Sequence, residues 1–114
     1  MSFDALMSQL RTEYVQELPE KIAHIHTHWE QQHLELIRED FHKLKGTGKT
    51  YGIPEISQLA EVLEKICTDQ PKNVAAALPE ALNLLKEIHS YRTSAQAFDI
   101  SHDQRFSMLK RLMT

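Results

Sequence analysis

A chain of 114 residues that is 41% hydrophobic and 25% charged has room for one core and not two, and this balance excludes a disordered or low-complexity protein. Thirteen Lys and Arg against sixteen Asp and Glu give a net charge of −3, which argues against general binding to a nucleic-acid backbone, and no apolar run approaches the roughly 20 residues of a membrane span. The single cysteine, Cys67, excludes an internal disulfide and a multi-cysteine zinc site, and the first residues, MSFDALMSQLRTEYVQELPEK, show no apolar leader, so the expected location is the cytoplasm.

Three glycines and four prolines are too few for the turns of an all-β fold, and apolar residues recur with the helical period nearly throughout. Phe3, Leu6, Met7, Leu10, Tyr14 and Leu18 step by three and four along a first helix. Pro19 suits the first turn of a second, with Glu20 beside the positive end of its dipole and Ile22, Ile25 and Trp29 inward. The third stripe is Leu34, Ile37, Phe41, Leu44, Gly48 and Tyr51, closed by Gly52. Pro54 and Glu55 open the fourth, where Ile56, Leu59, Ala60, Leu63, Ile66 and Cys67 form the cleanest apolar face before the break at Thr68 to Pro71. A fifth helix presents Leu78, Ala81, Leu82, Leu85 and Ile88 and starts either at Asn73, with a kink at Pro79, or near Leu78. After a polar connection from Thr93 to Gln96, Ser101 and Gln104 form a capping-box pattern for a short last helix with Phe106, Leu109 and Met113 inward. The predicted fold is all-α: an antiparallel four-helix bundle with an additional N-terminal helix and a short C-terminal helical appendage. Residues 1–92 form the bundle, and residues 93–114 are an extension packing on or beside it.

Residues 41–52, FHKLKGTGKTYG, break a helix rule, because Gly46 and Gly48 fall inside a periodic helix and each costs about 1 kcal/mol relative to alanine. Gly48 lies on the apolar stripe, where close packing explains it; Gly46 falls on the opposite, solvent side, where its use is to let something approach. His42 lies on that side one turn earlier, and Arg38, Lys45 and Lys49 all lie within about 60° of it around the axis. An exposed imidazole with room beside it and cations around it suits an anionic group carried on the ring. A solvated charged face holding a histidine by chance fits the same pattern. Gly46-Thr47-Gly48-Lys49-Thr50 imitates the end of a Walker A loop, but position 43 is lysine where that motif needs glycine, and a helix precedes it instead of a strand. His24, His26, His28 and His33 form a histidine-rich stretch in which only His24 and His28 share a face, too few for a zinc site.

His42-Lys43-Leu44-Lys45-Gly46, with Gly52 ten residues past the histidine, resembles the histidine-phosphotransfer (HPt) domains of multistep two-component phosphorelays. Leu63-Glu64 in an amphipathic helix and the Leu18-Pro19 junction fit the same pattern, and the resemblance covers roughly residues 5–90. It implies that His42 accepts a phosphoryl group on Nε2 from a receiver-domain aspartyl phosphate and passes it to a response-regulator receiver. It also implies that Lys45 steadies the phosphoryl oxygens, that Gly46 clears space for the receiver, and that Glu64 hydrogen-bonds Nδ1. Such a protein is a phosphohistidine-forming carrier without autonomous kinase activity. Its partners are receiver domains, of response regulators and of a hybrid sensor histidine kinase, and not nucleic acid or membrane. No cofactor is expected on this domain, any Mg²⁺ belonging to the receiver, and the chain is expected to be a monomer. The competing expectation is a noncatalytic helical-bundle adaptor that binds a receiver or another partner without phosphorylation.

Overall fold

A computed structural model of the chain describes residues 2–114. Five α-helices follow in order, α1 (Phe3–Glu30), α2 (Leu34–Thr50), α3 (Pro54–Asp69), α4 (Val74–Thr93) and α5 (Gln104–Arg111), with single 3-10 turns at Pro71–Asn73 and Ile100–His102 and no strand among the described residues. The all-α bundle expected from periodicity is present. Helices α1 to α4 pack in a ring, each against the next and α4 back onto α1. Cross-helix pairs such as Tyr14 with Thr47, Lys45 with Ser57 and Glu55 with Arg92 show that successive helices run antiparallel.

One boundary differs from expectation. The first two predicted helices are a single helix, because α1 runs unbroken through Pro19. Pro19 lies on the exposed side, while Tyr14, Val15, Leu18, Ile22 and Ile25 bury one continuous stripe on either side of it. Burying that stripe outweighs the roughly 3 kcal/mol that an interior proline costs. The bundle therefore has no additional N-terminal helix; instead α1 overhangs. At about 1.5 Å per residue its 28 residues reach some 42 Å, nearly the 47 Å length of the molecule. Among the described residues none before Tyr14 is buried, and Phe3 and Leu6 stand in solvent.

Pro79 is treated likewise: α4 starts at Val74 and continues past it, its exposed ring flanked by buried Ala77, Leu78, Ala81 and Leu82. Asn73 does not cap α4 with its side chain; its amide donates to the Leu112 carbonyl at 2.9 Å and ties the chain's last turn to the start of that helix. Nor does Ser101 cap the last helix. Asp103 does, accepting from the Arg105 N–H, while the Ser101 hydroxyl donates to Asp99. Ile100, Phe106 and Leu109 are buried in the common core, so residues after Thr93 complete the bundle's packing. Their connection is held by Glu55, which is only 3% exposed and accepts from Arg92 Nε and Nη2 at 2.9 and 2.7 Å and from the Phe98 N–H at 2.9 Å.

Candidate functional site

Helices α2 and α3 make the most extensive contact in the molecule. Ile37, Phe41, Leu44 and Gly48 turn inward from α2, and this fixes what faces out: His42 and Gly46 are exposed. On α3, buried Leu59, Leu63 and Ile66 set the inward face, and Glu64 falls beside it at the seam with α2.

There the Glu64 carboxylate meets two basic groups of the sequence motif, His42 and Lys45. His42 Nδ1 lies 3.1 Å from Oε1 and 3.2 Å from Oε2, and Lys45 Nζ lies 3.4 Å from Oε2. The glutamate side chain is 18% exposed and the imidazole 63%, so the carboxylate forms the floor and the ring the surface. Burial pushes the Glu64 carboxyl up, but hydrogen bonds from His42 and Lys45 outweigh it and hold the group below its ordinary range. A carboxylate can only accept, so in the neutral ring the contact favours the tautomer with the proton on Nδ1 and the lone pair on Nε2.

The other candidate residues separate. Arg38 is turned toward Glu35, to which its Nε and Nη2 donate at 2.8 and 2.5 Å, so its charge is already partnered. Lys49 is exposed and lies in the groove between the end of α2 and the start of α3, together with Lys45 and Glu61. A Cβ added at Gly46 would meet no heavy atom within 4 Å, which leaves the surface beside His42 open. A Cβ at Gly48 would come within 2.9 Å of the Ser57 backbone nitrogen, so this glycine lets α3 approach α2. Gly52, at φ +72°, ends the turn after α2 in the left-handed region.

Four contacts around this segment are absent from the sequence expectations. The Ser57 hydroxyl donates to the Lys45 carbonyl at 2.9 Å. The Tyr14 hydroxyl shares a 2.7 Å hydrogen bond with Thr47 while its ring stacks on Tyr51, and Arg11 Nε donates to the Tyr51 carbonyl at 2.7 Å. Only Ser57 had a readable signal: it precedes Glu64 by seven residues, two helical turns, and so shares its face. Away from the site, His26 pairs with Glu30 and His28 with Asp40, which divides the histidine-rich stretch between two separate contacts. Cys67 is buried, and burial pushes its thiol up to about 11.

Among the described residues no helix is long and apolar enough to cross a membrane. No curated protein and no solved structure matches the chain. The family model of the Hpt domain matches residues 9–98, from the first third of α1 through the Glu55-bound segment after α4, and α5 lies outside it. With most of its length matched and its motif histidine exposed on a helical bundle, the chain belongs to the Hpt domain family, whose members are phosphocarriers rather than catalysts.

Proposed function

We propose that this protein is the phosphoryl carrier of a two-component phosphorelay, taking a phosphoryl group onto His42 from a receiver-domain aspartyl phosphate and delivering it to a response-regulator receiver. The observation that carries the proposal is the Glu64 to His42 Nδ1 contact, which sets the tautomer needed for attack through Nε2. In the forward step the Nε2 lone pair forms a bond to phosphorus, and the bond from phosphorus to the aspartyl oxygen breaks. The electron pair leaves with the regenerated aspartate. The ring becomes imidazolium with its proton still on Nδ1, opposite the Glu64 carboxylate, which offsets the new charge.

Lys45 has two positions to serve. At rest its ammonium lies against Glu64, and the incoming phosphoryl group brings close to two negative charges onto the neighbouring ring. Rotation of the lysine toward that group exchanges one anionic partner for a stronger one. The open surface at Gly46 admits the receiver's loops, and Lys49 attracts the acidic pocket of the receiver. The reverse step, with another receiver's aspartate as nucleophile, uses the same groups.

Incubation with phosphorylated receiver domains tests this. Acid-labile, alkali-stable phosphate accumulates on the wild-type chain, and His42→Gln abolishes it while helicity is unchanged, since an exposed side chain contributes little to stability. Persistent labelling of the variant places the acceptor elsewhere and overturns the proposal.

A further inference from the structure

Glu64 does its work only if α3 lies at the right height along α2. A slip of one residue moves a helix by about 1.5 Å and turns it by about 100°, enough to carry a carboxylate out of hydrogen-bond range. The aliphatic side chains between the two helices fix which faces meet but offer no directional bond along the axis. Among the described residues the only side chain of α3 that hydrogen-bonds to the backbone of α2 is Ser57, whose Oγ donates to the Lys45 carbonyl at 2.9 Å.

That bond depends on Gly48. With no Cβ there, the first turn of α3 sits against α2 closely enough for a half-buried serine hydroxyl to reach a main-chain oxygen on the neighbouring helix. From Ser57, seven residues along α3 cover about 10 Å and return to within about 20° of the same direction, and the residue there is Glu64. One stripe of α3 therefore grips the backbone of Lys45 at one end and the side chains of Lys45 and His42 at the other.

We propose that Ser57 is a positioning residue for the His42 reaction: its bond to the Lys45 carbonyl sets the register of α3 on α2 and thereby holds Glu64 against Nδ1. The kinetic half of this rests on the carrier function proposed above; the structural half does not. Ser57 touches neither the ring nor the phosphoryl group and acts through Glu64.

The test uses the full chain labelled with ¹⁵N, as wild type and as Ser57→Ala, Ser57→Thr, Glu64→Ala and the Ser57→Ala/Glu64→Ala double variant. Ring nitrogen shifts of His42 report the tautomer, and single-turnover transfer from a phosphorylated receiver reports the rate. In Ser57→Ala the Nδ1–H tautomer gives way to a mixture, and the rate at saturating receiver falls about fivefold, the ratio one net hydrogen bond supports, with half-saturation unchanged. Ser57→Thr keeps the hydroxyl and restores both readouts. In the Glu64→Ala background, Ser57→Ala has no further effect, because its route to the ring is already gone.

A wild-type tautomer ratio in Ser57→Ala overturns the proposal, as does an equal loss of rate with and without Glu64. The tautomer readout needs no phosphoryl group. If the wild-type chain is never labelled yet its tautomer responds to Ser57, the carrier function fails and the positioning role stands. If labelling succeeds and the tautomer ignores Ser57, the reverse holds.

Discussion

Two of the three glutamates of helix α3, Glu55 and Glu64, lie nine residues apart, and their surroundings differ in one respect that decides their use. Glu55 is 3% exposed, and its three donors, two from Arg92 and one from the Phe98 backbone, belong to segments that stay packed. Glu64 also meets more than one donor, but both of its partners reach in from solvent-facing side chains of α2. Both carboxyls lie below their ordinary range: burial raises each, and hydrogen bonds from the partners outweigh it. A carboxylate whose donors cannot leave is structural. One whose donors can rotate away is able to follow a change of charge on its neighbour.

The largest effect that can break this comparison is on stability. Glu55→Ala leaves the Arg92 guanidinium largely buried and unpaired and should cost roughly 3 kcal/mol, read as a lowered Tm, whereas Glu64→Ala should cost less than about 1 kcal/mol. Equal losses would erase the distinction. Acid sharpens it. Because the folded Glu55 carboxyl titrates below its ordinary value of 4.5, its contribution is complete above that value and is lost as pH falls through the lower folded one. Wild-type stability should therefore fall more steeply below about pH 4 than that of Glu55→Gln in paired denaturant titrations.

The two glycines of α2 give the next effect, and it differs in sign. Gly48→Ala forces a methyl against the Ser57 nitrogen and Ile56 and should destabilise by about 1–3 kcal/mol. Gly46→Ala meets nothing and should stabilise by up to about 1 kcal/mol while slowing transfer, because the methyl occupies the receiver's side of the helix. An unfolded Gly46→Ala would mean that this residue packs inside the molecule.

The smallest effects separate the cations. Lys45→Ala should lower the transfer rate even at saturating receiver. Lys49→Ala should weaken association by roughly two- to fivefold at low salt, with a deficit that shrinks as salt rises. Arg38→Ala should do less than Lys49→Ala, since Glu35 already balances its charge. Equal, salt-independent losses from all three would show that the division is wrong.

Apolar periodicity alone is enough to place α2, α3 and the start of the core, because a stripe of large aliphatic residues has one way to be buried. It also orients His42, Gly46 and Gly48 correctly, since inward residues fix outward ones. It fails at Pro19 and Pro79, where a local rule predicts an interruption and the stripe on both sides of the ring overrides it. It fails again at Ser101, whose capping pattern loses to Asp103 two residues later. The Glu55 clasp could not be read at all, and of the Ser57 bond only the face that Ser57 shares with Glu64 could. Each joins residues that meet only after the helices have packed, and a glutamate or serine in a helix looks alike whether or not such a partner arrives.

The overhang of α1 gives one helix two stabilities. From Leu18 to Ile25 its amide hydrogen bonds are backed by buried side chains, so exposing them requires the bundle itself to open. From Phe3 to Leu10 no buried side chain stands behind the same hydrogen bonds, and they open by fraying from the end. Hydrogen exchange along this single continuous helix should therefore slow progressively toward its middle, with the steepest change near Tyr14, where the first ring enters the core.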